Sequence, residues 1–243
     1  MTQRLRADRL LVERGLFESR ARAQAAIAAG LVTANGAPVR KASDEIAIDA
    51  AVEAVPEHPW VSRGGVKLAA ALDHFQIDPN VRVCLDVGAS TGGFTHVLLE
   101  RGASRIYAVD VGHGQLHASL RGKPEIVSLE GTDIRKLDPA LLAEAPDLIV
   151  ADVSFISLKL VLLPAFALAR RPTDLVALIK PQFEAGRAHL KKGVVRDALV
   201  QQAVCDDIRA FVSGNGWIVR GIIPSPVTGG EGNREFLMGA RRD

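Results

Sequence analysis

Between residues 81 and 179, short runs of apolar and β-branched residues alternate with longer stretches of helical character. Parallel strands that are buried on both faces have such continuous apolar runs, and a crossover segment, usually a helix, must join each pair. Two further runs follow without a helix between them, which predicts a final hairpin. A doubly wound α/β sheet is therefore expected, with ligands bound at the carboxyl ends of its strands. The predicted strands are Val81–Val87, Arg105–Val109, Glu125–Leu129, Asp147–Ala151, Asp174–Ile179, Trp217–Ile223 and Glu235–Gly239.

The first 60 residues have a different pattern, which predicts two short helices and a hairpin. Apolar residues recur at helical spacing in Ala7–Arg14 and again in Arg20–Ala29. Ser19 can cap the second helix, and Gly30 can end it in a left-handed turn. The dipeptide Asn35-Gly36 then predicts a tight turn between two strands. A small α+β domain is therefore expected before the larger α/β domain.

Positive charge is concentrated in this N-terminal segment. The whole chain has a formal net charge of only +2, but residues 1–41 contain eight Arg and Lys against three Asp and Glu. Such a segment is often only a solvated surface, although it can also neutralise nucleic-acid phosphates. The sign of the charge reverses after it, and two prolines precede a Gly-Gly pair. We place the small domain at residues 1–58, a linker at 59–62 and the large domain at 63–243.

Three motifs in the small domain carry a resemblance. R-x-D-x-x-L begins at Arg6, S-R-x-x-A begins at Ser19 and I-x-x-G-x-V-x-x-N-G begins at Ile27. Together they resemble the S4-type RNA-binding domain, which implies that arginines on one face of two helices bind phosphates of folded RNA. A helix-turn-helix DNA-binding domain is the alternative, but the long turn between the helices and the following hairpin disfavour it. The candidate RNA-binding residues are Arg4, Arg6, Arg20, Lys41 and Arg63.

A glycine-rich loop follows the first predicted strand of the large domain. Its spacing is G-x-x-x-G-G, which departs from the G-x-G-x-x-G pattern of dinucleotide-binding folds. Asp110 ends the second strand, where a carboxylate can accept both hydroxyls of an adenosyl ribose, and Asp133 follows the third. The series resembles Rossmann-like S-adenosylmethionine methyltransferases, which implies Gly88 and Gly92 under the methionine and Asp133 near the adenine. The candidate cofactor-binding residues are Asp86, Gly88, Ser90, Thr91, Gly92, Gly93, Phe94, Asp110 and Asp133.

Charged residues end the next two predicted strands. Asp152 follows the fourth strand and Lys180 follows the fifth, so both are expected above the cofactor. Methyl transfer from a sulfonium is an in-line displacement, which needs an aligned nucleophile and a group to accept the proton of a hydroxyl. A lysine titrates near ~10.4, so it needs desolvation or a cationic neighbour, such as Lys67, to act as a base.

Lys67, Asp152, Lys180 and Glu235 together resemble the K-D-K-E tetrad of the FtsJ-type ribose 2′-O-methyltransferases. The resemblance implies that Lys180 activates the 2′-oxygen, that Asp152 pairs with it, and that Lys67 and Glu235 orient the group. Glu231 lies four residues before Glu235 in a glycine-rich loop and is the alternative acid. The sequence leaves the choice between these two glutamates open.

Other chemistries fit the sequence less well. Methylation of exocyclic amines commonly uses N-P-P-aromatic or D-P-P-aromatic after the fourth strand, whereas this chain has D-V-S-F. Methylation of pyrimidine carbon 5 needs a nucleophilic thiolate, but Cys84 falls within a strand and Cys205 within a helix. The close pair His113 and His117 lacks supporting Cys or acidic ligands, so no metal is predicted.

Five motifs distributed along the large domain extend the resemblance to nearly the whole chain. They are W-V-S-R-G-G-x-K-L, L-D-V-G-A-S-T-G-G-F-T, D-V-G-x-G-Q-L, A-D-V-S-F-I-S and K-P-Q-F-E. With the N-terminal domain they resemble the TlyA, or haemolysin A-like, family of rRNA methyltransferases. The resemblance implies cytidine 2′-O-methylation of ribosomal RNA, with ribosomal subunits as partners. The chain ends soon after its last predicted strand while some members continue further, so it stays open whether the protein modifies both subunits or only the large one.

Three alternative functions are an RNA-binding scaffold with an inactive methyltransferase fold, a membrane-lytic haemolysin and a nicotinamide-dependent oxidoreductase. A complete candidate tetrad argues against the scaffold. The longest apolar run, Leu160–Ala169, is too short to span a bilayer, and the charged first residues do not form a secretory signal. A soluble cytoplasmic protein is expected, and its oligomeric state is left open.

Overall fold

The computed structural model describes residues 3–243, which form two compact units. The first unit ends at Pro59 and the second begins at Trp60, so the division falls inside the linker predicted at 59–62. Within residues 3–243, no helix combines the length and the apolar character that crossing a bilayer requires. Each unit is described separately below.

The first unit is a small α+β fold around its own apolar core. Strand β1 pairs antiparallel with β4, and a second sheet has the strand order β3-β2-β5. Buried side chains from both helices, among them Leu11 and Ile27, pack on Val32 of β2. The elements are β1 (Arg4–Arg6), α1 (Ala7–Glu13), α2 (Arg20–Ala28), β2 (Val32–Ala34), β3 (Ala37–Pro38), β4 (Glu45–Ala47) and β5 (Val52–Ala54).

Local sequence signals in this unit are largely confirmed. The Ser19 hydroxyl accepts a hydrogen bond from the amide of Arg22, and Gly30 has a φ of +73° just after α2. Asn35 and Gly36 both have positive φ and form the two-residue turn between β2 and β3. Strand β1 was not predicted, because three residues that pair with a distant strand carry no local periodicity.

The second unit contains a seven-stranded sheet with the order β11-β12-β10-β9-β6-β7-β8. Strands β6 to β10 pair parallel with one another, whereas β12 is antiparallel to both β10 and β11. The predicted α/β architecture and final hairpin are therefore confirmed. The elements are α3 (Arg63–Phe75), β6 (Val83–Val87), α4 (Gly93–Glu100), β7 (Arg105–Asp110), β8 (Ile126–Glu130), β9 (Leu148–Ala151), α5 (Leu158–Leu168), β10 (Thr173–Ile179), α6 (Pro181–Glu184), α7 (Ala198–Gly214), β11 (Ile218–Pro224) and β12 (Phe236–Arg242).

The prediction of a helix in every crossover is wrong for two connections. The chain runs from β7 to β8, and from β8 to β9, through loops that contain only 3₁₀ turns at Ala118–Leu120, Ile134–Lys136 and Pro139–Leu141. Glycine and proline interrupt these segments, and both residues are unfavourable inside a helix. Residues of these loops line the carboxyl edge of the sheet.

Helices cover both faces of this sheet. Alternate residues of a strand point to opposite faces, and in β9 the side chain of Ile149 packs with α5 and α7, whereas Val150 packs with α3 and α4. Both are fully buried. The core is therefore continuous on each face, and polar side chains at the carboxyl ends of β6, β7, β9 and β10 are presented at one edge.

Candidate active site

The loop between β6 and α4 passes very close to its neighbours. Gly88 has a φ of +87°, and a Cβ atom there would lie 2.5 Å from the backbone oxygen of Asp152. A Cβ atom on Gly93 would lie 2.2 Å from the Ser62 hydroxyl. Gly92 has a φ of +89°, and a Cβ atom there would point at the side chain of Leu120. The glycines therefore serve close packing of this loop between β9, α3 and the segment after β7.

Asp86 lies beneath this loop rather than in a cavity. It is fully buried, and its Oδ2 accepts a hydrogen bond of 2.6 Å from the Thr95 hydroxyl. Burial raises the pKa of Asp86 to about 7. Asp86 and Gly92, both predicted to bind cofactor, thus line neither of the two cavities described next.

The larger cavity has a volume of about 520 Å³ and lies at the carboxyl ends of β6, β7 and β9. A volume in this range suits a nucleoside-sized ligand. Its wall combines carboxylates with apolar side chains, as a ribose and an adenine ring require. The residues that line it include Gly88, Ser90, Asp110, Val111, Gln115, Thr132, Asp133, Ile134, Asp152, Ser154, Phe155 and Ile156.

Asp110 is fixed by the backbone of two loops. Its Oδ2 accepts a hydrogen bond of 2.8 Å from the Ser90 amide, and its Oδ1 accepts one of 2.7 Å from the Gly112 amide. Each carboxylate oxygen has a further lone pair for a ligand hydroxyl. Asp133 caps the following 3₁₀ turn, and the Arg135 side chain lowers the pKa of Asp133 to about 2. Both carboxylates therefore border the larger cavity, and that of Asp133 is ionised near neutral pH.

A smaller cavity of about 200 Å³ adjoins the larger one and holds the candidate reacting groups. The Nζ atom of Lys180 lies 2.6 Å from Oδ1 of Asp152 and donates a hydrogen bond of 2.9 Å to the Ser154 hydroxyl. Asp152 and Ser154 line both cavities. The predicted pairing of Asp152 with Lys180 is present. Ser62, Gly64, Thr91, Gly93, Phe94 and Lys180 also line the smaller cavity.

Lys67 and Glu235 form a second ion pair. Their side chains are almost fully buried, and Nζ of Lys67 lies 2.5 Å from Oε2 of Glu235. The other oxygen, Oε1, accepts a hydrogen bond of 3.2 Å from the Gln182 amide group. The carboxylate of Glu231 instead lies against Gly193. Of the two candidate glutamates, Glu235 is therefore the one that the fold brings to Lys67.

Three contributors to this site were not predicted. Ser154 directly follows the strand-end motif, so its place could have been inferred from A-D-V-S-F-I-S. Gln182 lies two residues after Lys180, but only the fold brings its amide group to Glu235. Phe155 has a φ of +65°, is 90% exposed and contacts Phe183 with 4.9 Å between ring centroids. No local pattern in the sequence predicts that an exposed Phe155 contacts a half-buried Phe183.

In the first unit, a buried carboxylate organises two of the predicted RNA-binding arginines. Asp8 is fully buried, and its two oxygens accept hydrogen bonds from Arg6, Arg20 and the Gln24 amide group at 2.7–3.2 Å. The Arg6 and Arg20 side chains remain 49% and 57% exposed. The Arg6 hydrogen bonds, helped by Arg20 and Gln24, hold the pKa of Asp8 well below its usual range. Asp8 thus fixes two guanidinium groups that still face solvent.

The other predicted RNA-binding residues are exposed but differ in setting. The Arg4 guanidinium donates to the backbone oxygen of Glu45, and Lys41 lies in the loop before β4. Arg4 and Arg6 belong to β1, so the expectation that helices present the arginines is wrong for these two. Arg63 lies in the second unit, in the first turn of α3.

We expect Asp8→Asn to weaken RNA binding and lower the melting temperature of the full chain at pH 7. The amide cannot attract two guanidinium groups as the carboxylate does. Because the pKa of Asp8 is depressed in the folded chain, its ionised form adds stability above the ordinary carboxyl pKa of about 4 and loses this effect as the pH falls. The melting difference from wild type should therefore shrink between pH 5 and pH 3, measured by circular dichroism. Exposed Asp49→Asn is the control, and a pH-independent difference would contradict the assignment.

Cysteine and histidine side chains take structural positions. Burial raises the pKa of the Cys84 thiol and, to about 11, that of Cys205, so neither is a ready nucleophile near neutral pH. His113 lies against Gly131, and His117 hydrogen-bonds with Ser119. Across residues 3–243, no three His, Cys, Asp or Glu side chains are grouped so as to hold a metal ion.

Comparison with known proteins gives matches over nearly the whole chain. Residues 60–242 match the FtsJ-like methyltransferase model, and residues 5–52 match the S4 domain. The 16S/23S rRNA (cytidine-2′-O)-methyltransferase TlyA of Mycobacterium tuberculosis is 43% identical over 244 residues, which cover 99% of this chain and 91% of that protein.

Two solved structures extend the comparison to the fold. A candidate hemolysin from Streptococcus thermophilus is 38% identical with a TM-score of 0.78, covering 100% of this chain and 90% of that one. The magnesium protoporphyrin IX methyltransferase ChlM from Synechocystis, with bound S-adenosylhomocysteine, is 14% identical with a TM-score of 0.52. The match covers 74% of this chain and 82% of that one. This second likeness concerns the fold alone. The chain therefore belongs to the TlyA family and carries an S4 domain followed by an FtsJ-like methyltransferase domain.

Proposed function

We propose that the chain transfers a methyl group from S-adenosylmethionine to the 2′-hydroxyl of a cytidine in ribosomal RNA. The observation that carries the proposal is the Lys180–Asp152 ion pair at the border of the two cavities. The name of the Mycobacterium tuberculosis relative supports the substrate and the position of the methyl group. The S4 domain, proposed here at residues 1–58 with 59–62 as linker, supplies an RNA-binding module. Its proposed contacts are Arg4, Arg6, Arg20 and Lys41, with Arg63 in the methyltransferase domain at 63–243.

The residues of the larger cavity fit S-adenosylmethionine. Asp110, held by two backbone amides, suits the ribose hydroxyls, and apolar Val111, Ile134 and Ile156 suit the adenine ring beside Asp133. The backbone at Gly88, where a Cβ atom would have no room, suits the methionine end. When bound, this cofactor supplies an electrophilic methyl group on a sulfonium.

Lys180 is placed to take the proton from the ribose hydroxyl. A neutral amine has two N–H groups and one lone pair. One N–H of Lys180 is donated to the Ser154 hydroxyl, and Nζ lies 2.6 Å from Oδ1 of Asp152, so the lone pair of the neutral amine can accept the proton of the substrate hydroxyl. The ammonium group formed by proton transfer is stabilised by the Asp152 carboxylate. We propose that the buried Lys67–Glu235 pair, which contacts Gln182, orients this arrangement.

The experiment that tests this function uses purified small and large ribosomal subunits, offered separately with methyl-labelled S-adenosylmethionine. The rRNA is then digested to nucleosides and analysed by mass spectrometry. The proposal expects label in 2′-O-methylcytidine from at least one subunit. Label on a base, or no label while a TlyA relative methylates the same subunits, would overturn it.

We expect Phe155→Ala to lower kcat/KM for RNA by roughly tenfold, because an exposed ring at the cavity mouth can stack on the target base, an interaction worth about 1–3 kcal/mol. Phe155→Trp should retain most activity. Leu199→Ala removes a side chain that is 80% exposed on α7 and serves as the matched control. Equal activity of Phe155→Ala and the control in the labelled-methyl assay would exclude a stacking role.

A further inference from the structure

A basic segment follows α6, the short helix that begins directly after Lys180. Residues 185–196 contain four Lys or Arg and one His, but no Asp or Glu. Within it, Lys191 and Val194 exchange two backbone hydrogen bonds of 3.0 and 3.2 Å around Lys192-Gly193, which have φ values of +52° and +78°. We call residues 191–196 the basic hairpin. Lys191, Lys192 and Arg196 are all exposed on it.

Hydrogen bonds to the side chain of Asn233, which is only 5% exposed, hold the basic hairpin in place. Its Nδ2 donates a hydrogen bond of 3.0 Å to the backbone oxygen of Gly193, and its Oδ1 accepts one of 3.3 Å from the amide of Val195. The Gln201 amide group donates to the backbone oxygen of Val195 at 2.7 Å. A buried amide with both polar atoms used in this way fixes the hairpin to the loop between β11 and β12.

The same loop also carries Glu235. Asn233 precedes Glu235 by two residues, and its backbone oxygen accepts a hydrogen bond of 2.8 Å from the amide of Gly229. A Cβ atom on Gly229 would lie 2.1 Å from Oε1 of Glu235, so the backbone of Gly229 lies directly against this carboxylate. Glu235 in turn pairs with Lys67. One short loop therefore joins the basic hairpin to the buried ion pair.

We propose that the basic hairpin binds the phosphate backbone of the substrate RNA, and that Asn233 is a positioning residue that couples this contact to the Lys67–Glu235 pair. The inference rests on the proposed function, which supplies RNA as the substrate. A segment with several exposed cations and no acid complements a polyanion. Asn233 holds the backbone of the hairpin in one conformation. RNA bound to the hairpin would therefore affect the position of the loop that carries Glu235.

The RNA contact is tested with Lys191→Ala/Lys192→Ala in the full chain. Binding to rRNA fragments from the small and the large ribosomal subunit is measured over a range of salt concentrations. Loss of two phosphate contacts should make the negative slope of log K against log salt shallower by roughly 2. The matched control, Lys123→Ala/Arg209→Ala, also removes two exposed cations and should leave the slope unchanged. A hairpin variant that behaves as the control would overturn the proposed RNA contact.

The coupling is tested by adding Asn233→Ala in a double-mutant cycle on kcat. In the wild-type background, the hairpin substitutions should lower kcat roughly tenfold in addition to raising KM for RNA. In the Asn233→Ala background, kcat should already be low and the hairpin substitutions should raise only KM. Additive effects on kcat would overturn the coupling. Binding of S-adenosylhomocysteine, measured by calorimetry, checks that each variant is folded.

Failure of the hairpin inference can be distinguished from failure of the proposed function. If wild-type protein transfers no methyl group to rRNA, the proposed function fails, whereas the salt slope still decides whether the hairpin binds RNA. If wild-type protein is active and the hairpin variant matches its control in slope, KM and kcat, only the inference about the hairpin fails.

Discussion

Lys180→Ala is expected to lower kcat for methyl transfer by about 10²–10⁴-fold while RNA binding changes little. Proton transfer by a positioned side chain contributes about this factor. Lys180 lies within the second unit, at the carboxyl end of β10, and its Nζ is held by Asp152 and Ser154. In the proposed mechanism, its removal leaves the 2′-hydroxyl without an acceptor for its proton. Single-turnover transfer of labelled methyl to rRNA, with a parallel RNA-binding titration, measures both effects.

Lys180→Arg separates the role of a base from that of a positive charge. A guanidinium retains a cation opposite Asp152, but it is not deprotonated in proteins and so cannot accept the proton. We therefore expect Lys180→Arg to be nearly as inactive as Lys180→Ala. Lys159→Ala, which removes a partly exposed lysine on α5, is the control for loss of a lysine elsewhere in the unit. Substantial turnover by Lys180→Arg would show that only charge is needed at this position and would exclude the base role.

The positions of Asp152 and Lys180 could be predicted because two general rules agree there. Continuous apolar runs predicted the parallel strands, and the carboxyl ends of parallel strands meet at one edge. Any polar residue that ends such a run is therefore expected at that edge. The same reasoning placed Asp110 at the end of β7, although the amides that hold it come from Ser90 and Gly112.

Contacts between distant segments could not be predicted in this way. Glu235 lies 168 residues from its partner Lys67, and nothing in the local sequence distinguished it from Glu231. Asp8 matched a motif, but the sequence did not show that its carboxylate is buried under two arginines. Hydrogen bonds of this kind depend on how separate elements pack, and periodicity carries information about one element at a time.

Gly88→Ala is expected to abolish detectable binding of S-adenosylhomocysteine and to lower the melting temperature. Two costs add at this position. An L residue at a φ of +87° is strained by about 1–3 kcal/mol, and the new methyl group would lie 2.5 Å from the backbone oxygen of Asp152. A backbone atom at the end of a central strand cannot move aside easily. Either the loop or Asp152 must shift, and both border the cavities proposed to hold the cofactor and the ribose hydroxyl.

Gly114→Ala is the matched control, because it separates the two costs. Gly114 also has a positive φ, +65°, but a Cβ atom there would have no neighbour within 4 Å. This variant therefore carries the backbone strain without the close contact. Calorimetric titration with S-adenosylhomocysteine should give a nearly wild-type affinity for Gly114→Ala and no measurable binding for Gly88→Ala. If both variants bind equally well, the loop after β6 tolerates the extra atom, and the assignment of its close approach to Asp152 as a requirement for cofactor binding is wrong.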